Sequence, residues 1–345
     1  MLNEKQSEKT KKQATEPPPL LEITDLCTYF FTREGTVKAV DGVNLTVQRG
    51  EIRGIVGESG CGKSMTAMSI LRLVDKPGKI VSGQVRFKGN NLLDKSRREM
   101  TQIRGKQISV IFQEPKSSLN PVLKVGNQIL EVLRIHDSIK HRDEDARSIS
   151  LLKEVGIPDP EQRIDNYPHQ MSGGMAQRVM IAMGMACAPD LLIADEPTTA
   201  LDVTIQAQVL DLIRKLRDEH EMAVILITHD MGIVAEMTDN VTVMYCGTTV
   251  EEATTEELFE EPLHPYTQGL IASIPVMGKV KERLDVIPGM VPDLINMPSG
   301  CRFAPRCRAR IEHQLDKCWH DEPGMIEAKA GHLVRCWLYE KDSLS

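Results

Sequence analysis

Eight residues limit what this chain can fold into more than any others. They are GESGCGKS, Gly57 to Ser64. An apolar run, EIRGIVG, precedes them, and KSMTAMSILRLV follows with apolar residues at helical spacing. Two glycines with four residues between them, then Lys and Ser, between a strand and a helix, make a loop that wraps phosphate. Gly57, Gly60 and Gly62 let the backbone turn its N–H groups toward phosphate oxygens. The helix behind them offers its positive N-terminus to the same anion. Lys63 is placed to reach the β- and γ-phosphates and Ser64 to give a hydroxyl to Mg²⁺. A loop of this kind belongs to a strand–helix unit of a parallel sheet.

The rest of the chain agrees. DLLIADEP and MAVILITHD read as apolar strands, joined by the amphipathic helix IQAQVLDLIRKLRDEH. Strand, helix, strand in that order predicts a parallel α/β sheet. LEITDLCTYFF and TVKAVDGVNLTV, parted by the polar TREG, predict short strands near the start. LLDKSRREMTQIRGKQ, VGNQILEVLRIH and DEDARSISLLKEVGI read as helices with charged faces, a helical insertion over about 91–180. QRVMIAMGMACA reads as a further helix, stopped by Pro189. Past Glu256, proline and glycine become frequent, which marks a smaller C-terminal unit. The predicted division is a disordered tail at 1–19, a main α/β domain at 20–260 and an extension at 261–345.

Further motifs add chemistry. LLIADEP ends an apolar strand in two acids, Asp195 for the Mg²⁺ shell and Glu196 to polarise an attacking water. VIFQEP puts Gln113 just past one strand and LITHD puts His229 at the end of another. MSGGMAQR, Met171 to Arg178, is a small-residue turn opening a helix, where Ser172, Gly173 and Gly174 can meet another phosphate group.

The ordered set GESGCGKS, FQEP, MSGGMAQR, IADEPTTALD and ITHD resembles the nucleotide-binding subunit of an ABC transporter. The resemblance implies a P-loop ABC ATPase core, α/β, with an N-terminal antiparallel β subdomain, the helical insertion and a small C-terminal extension. It implies ATP and Mg²⁺ as ligands. Phe30, or its neighbours Tyr29 or Phe31, would stack on adenine. Gly57, Ser59, Gly60, Cys61, Gly62, Lys63, Ser64 and Met65 would surround the phosphates. Ser64, Gln113 and Asp195 would attend Mg²⁺, and Glu196, His229 and Gln113 would carry out hydrolysis. Ser172, Gly173 and Gly174 would contact ATP held by an opposite subunit, and Asp202, closing TALD, would cross that interface. Met171 and Met175 stand where the commonest form has Leu and Gln.

The tail narrows the resemblance. MYCGTTVEE, PLHPYTQGLIASIP, IPGMVPDL and PSGCRFAPRC in succession are similar to oligopeptide and dipeptide importer ATPases, nickel-peptide relatives included. The expected partners are a second, homologous ATP-binding chain, two membrane permeases and, indirectly, an extracytoplasmic peptide-binding protein. The same engine serving nickel or another small solute is the alternative. The expected location is the cytoplasmic face of the membrane, held there peripherally.

Composition excludes other classes. Aromatics make up 4% and the formal net charge is −7, so a nucleic-acid partner is not predicted. A single GKS, a single SGG and no sustained heptads argue against a soluble ABC ATPase acting on DNA or ribosomes. The start, MLNEKQSEKTKKQATEPPP, has no apolar stretch behind its lysines, and no run approaches the ~20 apolar residues of a membrane span. A metal-binding interaction module, read from the tail alone, would leave five ATPase motifs unexplained.

Cys27, Cys61, Cys187 and Cys246 stand singly and read as small buried or loop residues. Cys301, Cys307, Cys318 and Cys336 cluster in the tail, spaced C-x5-C, C-x10-C and C-x17-C. That spacing matches neither compact zinc pairs nor common ferredoxin runs. The family resemblance implies a [4Fe–4S] cluster on these four, with Zn²⁺ or unbound thiols as alternatives. His313, His320 and His332 are possible substitute ligands.

Overall fold

A computed structural model describes residues 17–136, 143–199, 201–274 and 287–340. The disordered-tail reading of 1–19 falls mostly outside them. In chain order the strands are β1 (Leu21–Phe31), β2 (Thr36–Val47), β3 (Ile52–Val56), β4 (Gly78–Phe87), β5 (Asn90–Asn91), β6 (Ile108–Ile111), β7 (Leu191–Asp195), β8 (Ala223–Thr228), β9 (Asn240–Tyr245), β10 (Thr248–Thr254), β11 (Ile326–Lys329) and β12 (His332–Val334). The helices are α1 (Lys63–Ile70), α2 (Arg97–Ile103), α3 (Pro115–Ser118), α4 (Val125–His136), α5 (Glu144–Glu154), α6 (Pro160–Arg163), α7 (Gly173–Met185), α8 (Val203–His220), α9 (Met231–Met237), α10 (Thr255–Glu260), α11 (Pro265–Ala272) and α12 (Arg308–Glu312).

Two sheets form. The larger has the order β11-β12-β10-β9-β3-β8-β7-β6, and the smaller is the antiparallel β2-β1-β4-β5. In the larger sheet β6, β7, β8, β3 and β9 run parallel, while β10, β12 and β11 add antiparallel strands at one edge. IRGIV, LLIAD and AVILIT are buried at every position, as parallel strands covered on both faces must be. One face packs on α4, α5, α7 and α8 through residues such as Leu133, Leu152, Ile181 and Ile213. The other packs on α1 and the small sheet through Ile55, Ile70, Leu26 and Val85. The phosphate loop therefore opens a helix clamped between the two sheets.

Local chemistry sets the ends of these elements. Ser96 and Glu99 close a reciprocal capping box on α2, each side chain accepting the other's backbone N–H. Asp202 accepts from the Ile205 N–H at 3.0 Å and starts α8, whose buried Val209, Leu210, Ile213 and Leu216 recur at helical spacing. The segment read as a helical insertion contains one strand of the core: β6 pairs with β7, and Gln113 follows it. The C-terminal segment joins the core's sheet, because β12 pairs with β10 and β11 with β12.

Candidate functional site

The phosphate loop spans the gap between β3 and α1. Gly57 (φ 150°) and Gly62 (φ 104°) hold left-handed backbone, and a Cβ there would collide with the Met244 and Ala39 carbonyls. Ser59 and Gly60 are exposed at the loop's crest, and Met65 is half-buried in the first turn of α1. Cys61 turns inward, where burial pushes its thiol up. Lys63 is buried and its Nζ donates to the Gly57 and Glu58 carbonyls at 2.7 and 3.0 Å.

Three strand ends converge on this loop. The Ser64 hydroxyl donates to Asp195 Oδ1 at 3.0 Å. Burial pushes the Asp195 carboxyl up, against the pull of that hydrogen bond. Glu196 follows with φ 46°, a backbone conformation that costs a non-glycine residue roughly 1–3 kcal/mol and aims its side chain away from the strand. Its carboxylate is gripped on both oxygens. Gln113 Nε2 donates to Oε2 at 2.9 Å, Thr199 Oγ1 donates to Oε2 at 2.9 Å, and His229 Nδ1 lies 3.1 Å from Oε1. Burial raises the Glu196 carboxyl, but the bonds from His229 and Thr199 outweigh it, so the group sits below its ordinary range. It is ionised and oriented at neutral pH, as a water-polarising base must be.

A hydroxyl and a carboxylate oxygen converging beside a buried ammonium suit a hard divalent cation on a polyphosphate. Ser64 and Asp195 are the residues that would hold Mg²⁺.

Other predicted residues make their contacts elsewhere. Ser172 caps α7, its Oγ accepting from the Met175 N–H at 3.3 Å, and Gly174 packs against Ile205 of α8. Among the described residues no hydrogen bond or ion pair joins Ser172, Gly173, Gly174 or Asp202 to Lys63, Asp195 or Glu196. Of the three aromatics, Phe30 packs near Val74 and Gly78. Tyr29 donates to Asp41 Oδ1 at 2.5 Å, and Phe31 is 49% exposed.

Sequence reading missed Thr199, Asp41, Glu58, Tyr266, Arg302 and Arg306. The signal for the two arginines was present: GCRFAPRC sets them beside the cysteines that drew attention first.

The tail cysteines require a correction. Among the described residues no three or more His, Cys, Asp and Glu side chains are grouped so as to hold a metal ion, so neither the [4Fe–4S] cluster nor zinc is supported. Cys301, Cys307, Cys318 and Cys336 line a void of about 10 Å³, no more than one water could fill. Burial pushes the Cys301 and Cys336 thiols up to about 12 and raises Cys307 and Cys318 as well. Cys318 packs with Ala304, Leu315 and Trp337. His332 lies buried against Glu251, at 2.7 Å.

This fold and this arrangement of Lys63, Asp195 and Glu196 define an ABC-type ATPase. The family model described as "ABC transporter" matches residues 40–199, and that described as "Oligopeptide/dipeptide transporter, C-terminal region" matches 250–313. The chain is 50% identical to the oligopeptide transport ATP-binding protein AppD of Bacillus subtilis over 94% of its own length and 98% of the relative's. It is 48% identical to the dipeptide transport ATP-binding protein DppD of Haemophilus influenzae over 92% and 94%. A solved ATP-binding cassette, a dimer in a post-hydrolysis state bound to ADP and Pi, superposes with a TM-score of 0.62 at 26% identity, covering 68% of this chain and 98% of that one. The chain belongs to the oligopeptide/dipeptide family of ABC transporter ATP-binding proteins.

Proposed function

We propose that this chain is the ATP-hydrolysing subunit of a peptide importer, working on the cytoplasmic face of a membrane with a second, homologous ATP-binding chain and two permeases. An extracytoplasmic peptide-binding protein would deliver the cargo. The observation that carries this reading is the triple grip of Gln113, Thr199 and His229 on Glu196, beside Lys63, Ser64 and Asp195. The same chain ends in a region similar to the C-terminal part of oligopeptide/dipeptide transporters.

In this reading residues 20–260 form the ATPase unit and 261–345 its extension. Lys63 leaves the Gly57 and Glu58 carbonyls for the β- and γ-phosphates. The loop from Gly57 to Met65, Ser59, Gly60, Cys61 and Gly62 included, surrounds the phosphates with N–H groups, and Phe30 supports the adenine. Ser64 and Asp195, with Gln113 beside them, would hold Mg²⁺, which would supply neutralisation of the phosphate charge. Glu196 takes the proton of the attacking water while His229 and Gln113 hold its carboxylate in place. Ser172, Gly173, Gly174 and Asp202 would serve a partner's ATP, a use supported by the likeness of MSGGM and TALD to the family's motifs. Two sites then form between two chains, and ATP favours the closed pair because each site needs groups from both.

A cleft of about 210 Å³ supports permease docking. It lies between the core and the helical segment and is lined by Leu73, Phe112, Val132, Met180 and Met183, with Leu73 and Phe112 exposed. Among the described residues no helix is long and apolar enough to cross a membrane, so membrane attachment in this reading goes through the partner.

The test is ATP turnover and nucleotide binding by the purified chain with its permeases. Lys63→Ala should lose MgATP binding. Glu196→Gln should bind MgATP and trap the closed pair, with turnover lower by about 10²–10⁴-fold. Normal turnover in Glu196→Gln would show that another group is the base.

A further inference from the structure

The phosphate loop is held from outside the nucleotide core. Glu58, the second residue of GESGCGKS, meets Arg306 in a two-pronged pair, Nη1 to Oε2 at 2.6 Å and Nη2 to Oε1 at 3.0 Å. Its backbone N–H donates to the Tyr266 hydroxyl at 2.7 Å. Both partners come from the C-terminal segment and neither can swing aside. The Arg306 side chain is 4% exposed; its Nε donates to the Pro288 carbonyl at 2.8 Å and its Nη1 to the Tyr245 hydroxyl at 3.3 Å. Tyr266 is fully buried, its ring 4.7 Å from Tyr245 and 5.5 Å from Phe303.

The far side of the loop is tied to the same segment. Arg302 donates to the Cys246 carbonyl at 2.6 Å and to Asp41 Oδ2 at 2.5 Å. The Gly247 N–H donates to the Cys61 carbonyl at 2.9 Å, and the Asp41 N–H to the Gly247 carbonyl at 2.7 Å. One short stretch, Arg302 to Arg306, thus braces the loop on both sides of the peptide on which Lys63 rests.

A part-buried ion pair contributes little stability of its own, since desolvation and solvent screening offset its attraction, and here the Glu58 side chain is 28% exposed. Its use is to fix geometry, and a guanidinium fork fixes a carboxylate in two directions. We propose that Arg306 and Tyr266 are positioning residues of the ATP site. They hold the Gly57–Glu58 turn in the shape that receives phosphate, so the C-terminal extension sets nucleotide affinity. This rests on the reading of Gly57–Ser64 as the ATP loop.

The experiment compares the full wild-type chain with Arg306→Met, Arg306→Lys and Tyr266→Phe. It measures steady-state MgATP hydrolysis and direct MgADP binding, and checks the folded fraction by circular dichroism. Arg306→Met should raise KM for MgATP and Kd for MgADP by about tenfold, with kcat per folded molecule within about twofold of wild type. Arg306→Lys, which keeps the charge and loses the fork, should fall between, and Tyr266→Phe should raise KM with an intact fold. A purely structural role would lower Vmax with the folded fraction and leave KM unchanged, and that result overturns the proposal. If Arg306→Met does not fold, an unchanged KM in Tyr266→Phe overturns it alone. Wild-type chain that binds no MgADP would sink the ATP reading and this proposal together. Wild-type chain that binds MgADP no better than folded Arg306→Met sinks only the proposal.

Discussion

Glu196 combines a strained backbone with a carboxylate held at both oxygens. At a strand end, φ 46° is tolerated because the Glu196 N–H is fixed to the Ile227 carbonyl at 2.9 Å and the side chain is fixed by three partners. The hydrogen bonds that outweigh burial place its proton affinity below the ordinary value of 4.5, so the group stays charged through neutral pH. The acidic limb of kcat/KM set by this residue should therefore lie below pH 4.5. Thr199→Val removes one of the lowering bonds and should move that limb upward, and a pH–rate profile of both chains would show it. An unchanged limb in Thr199→Val would mean that Thr199 does not tune the base. Lys63, Ser64, Asp195, Glu196, Gln113 and His229 could all be found in the sequence, because strand ends and a glycine loop place side chains by local rules. Thr199 could not, since a threonine three residues past an acid has many uses.

At the scale of elements, the apolar runs at β3, β7 and β8 and the periodic face of α8 were legible because burial on two faces, or on one stripe, leaves a pattern in composition. The joining of the tail to the core was not. β11 and β12 are short and mixed in character; β12 pairs with β10 and β11 with β12, beside Glu251, a buried carboxylate. Glu251 accepts from the Leu263 and His264 N–H groups at 2.7 and 2.9 Å and lies 2.7 Å from His332 Nε2. The cysteines misled for a related reason. Four thiols spaced along a tail look like ligands, but here Cys318 packs with Trp337 and Leu315 as a small apolar side chain would. His264, which caps α11 by accepting from the Tyr266 N–H at 3.0 Å, gives this region a pH signature. Burial, with Arg335 adding to it, lowers its pKa from 6.5 to about 3. The folded state then binds fewer protons than the unfolded state, so its contribution is complete above pH 6.5 and is lost as pH falls from 6.5 toward 3. Urea unfolding of His264→Asn, which keeps a capping acceptor, should show a shallower loss than wild type over that window. Equal slopes would mean that His264 is not buried as a neutral ring.

Across the whole molecule, two sheets and a helical segment surround one clamped helix, and the surfaces left open are as informative as the core. The cleft at Leu73 and Phe112 is mostly apolar, with Arg104 the charged residue in its lining. Phe112→Asp, at an exposed position outside the core, should leave MgATP binding unchanged and abolish co-purification with the permeases. Retained co-purification would place the docking surface elsewhere. The bond between Glu58 and Arg306 joins residues 248 positions apart. A ribosome adding about 5–20 residues per second needs roughly 10–50 s to cover that distance. Once His229 is made, with 77 residues still to be added up to and including Arg306, the growing chain carries every nucleotide motif while Glu58 lacks that counterion and Lys63 has no fixed peptide to rest on, for about 4–15 s at the same rate. The half-made protein is then a weak scavenger of cellular ATP, and affinity arrives with the last part of the polypeptide. Stalled ribosome–nascent chains ending before Arg302 should label poorly with a photoreactive ATP analogue, while chains stalled after full emergence of residue 340 label well. Equal labelling of the two would refute this timing.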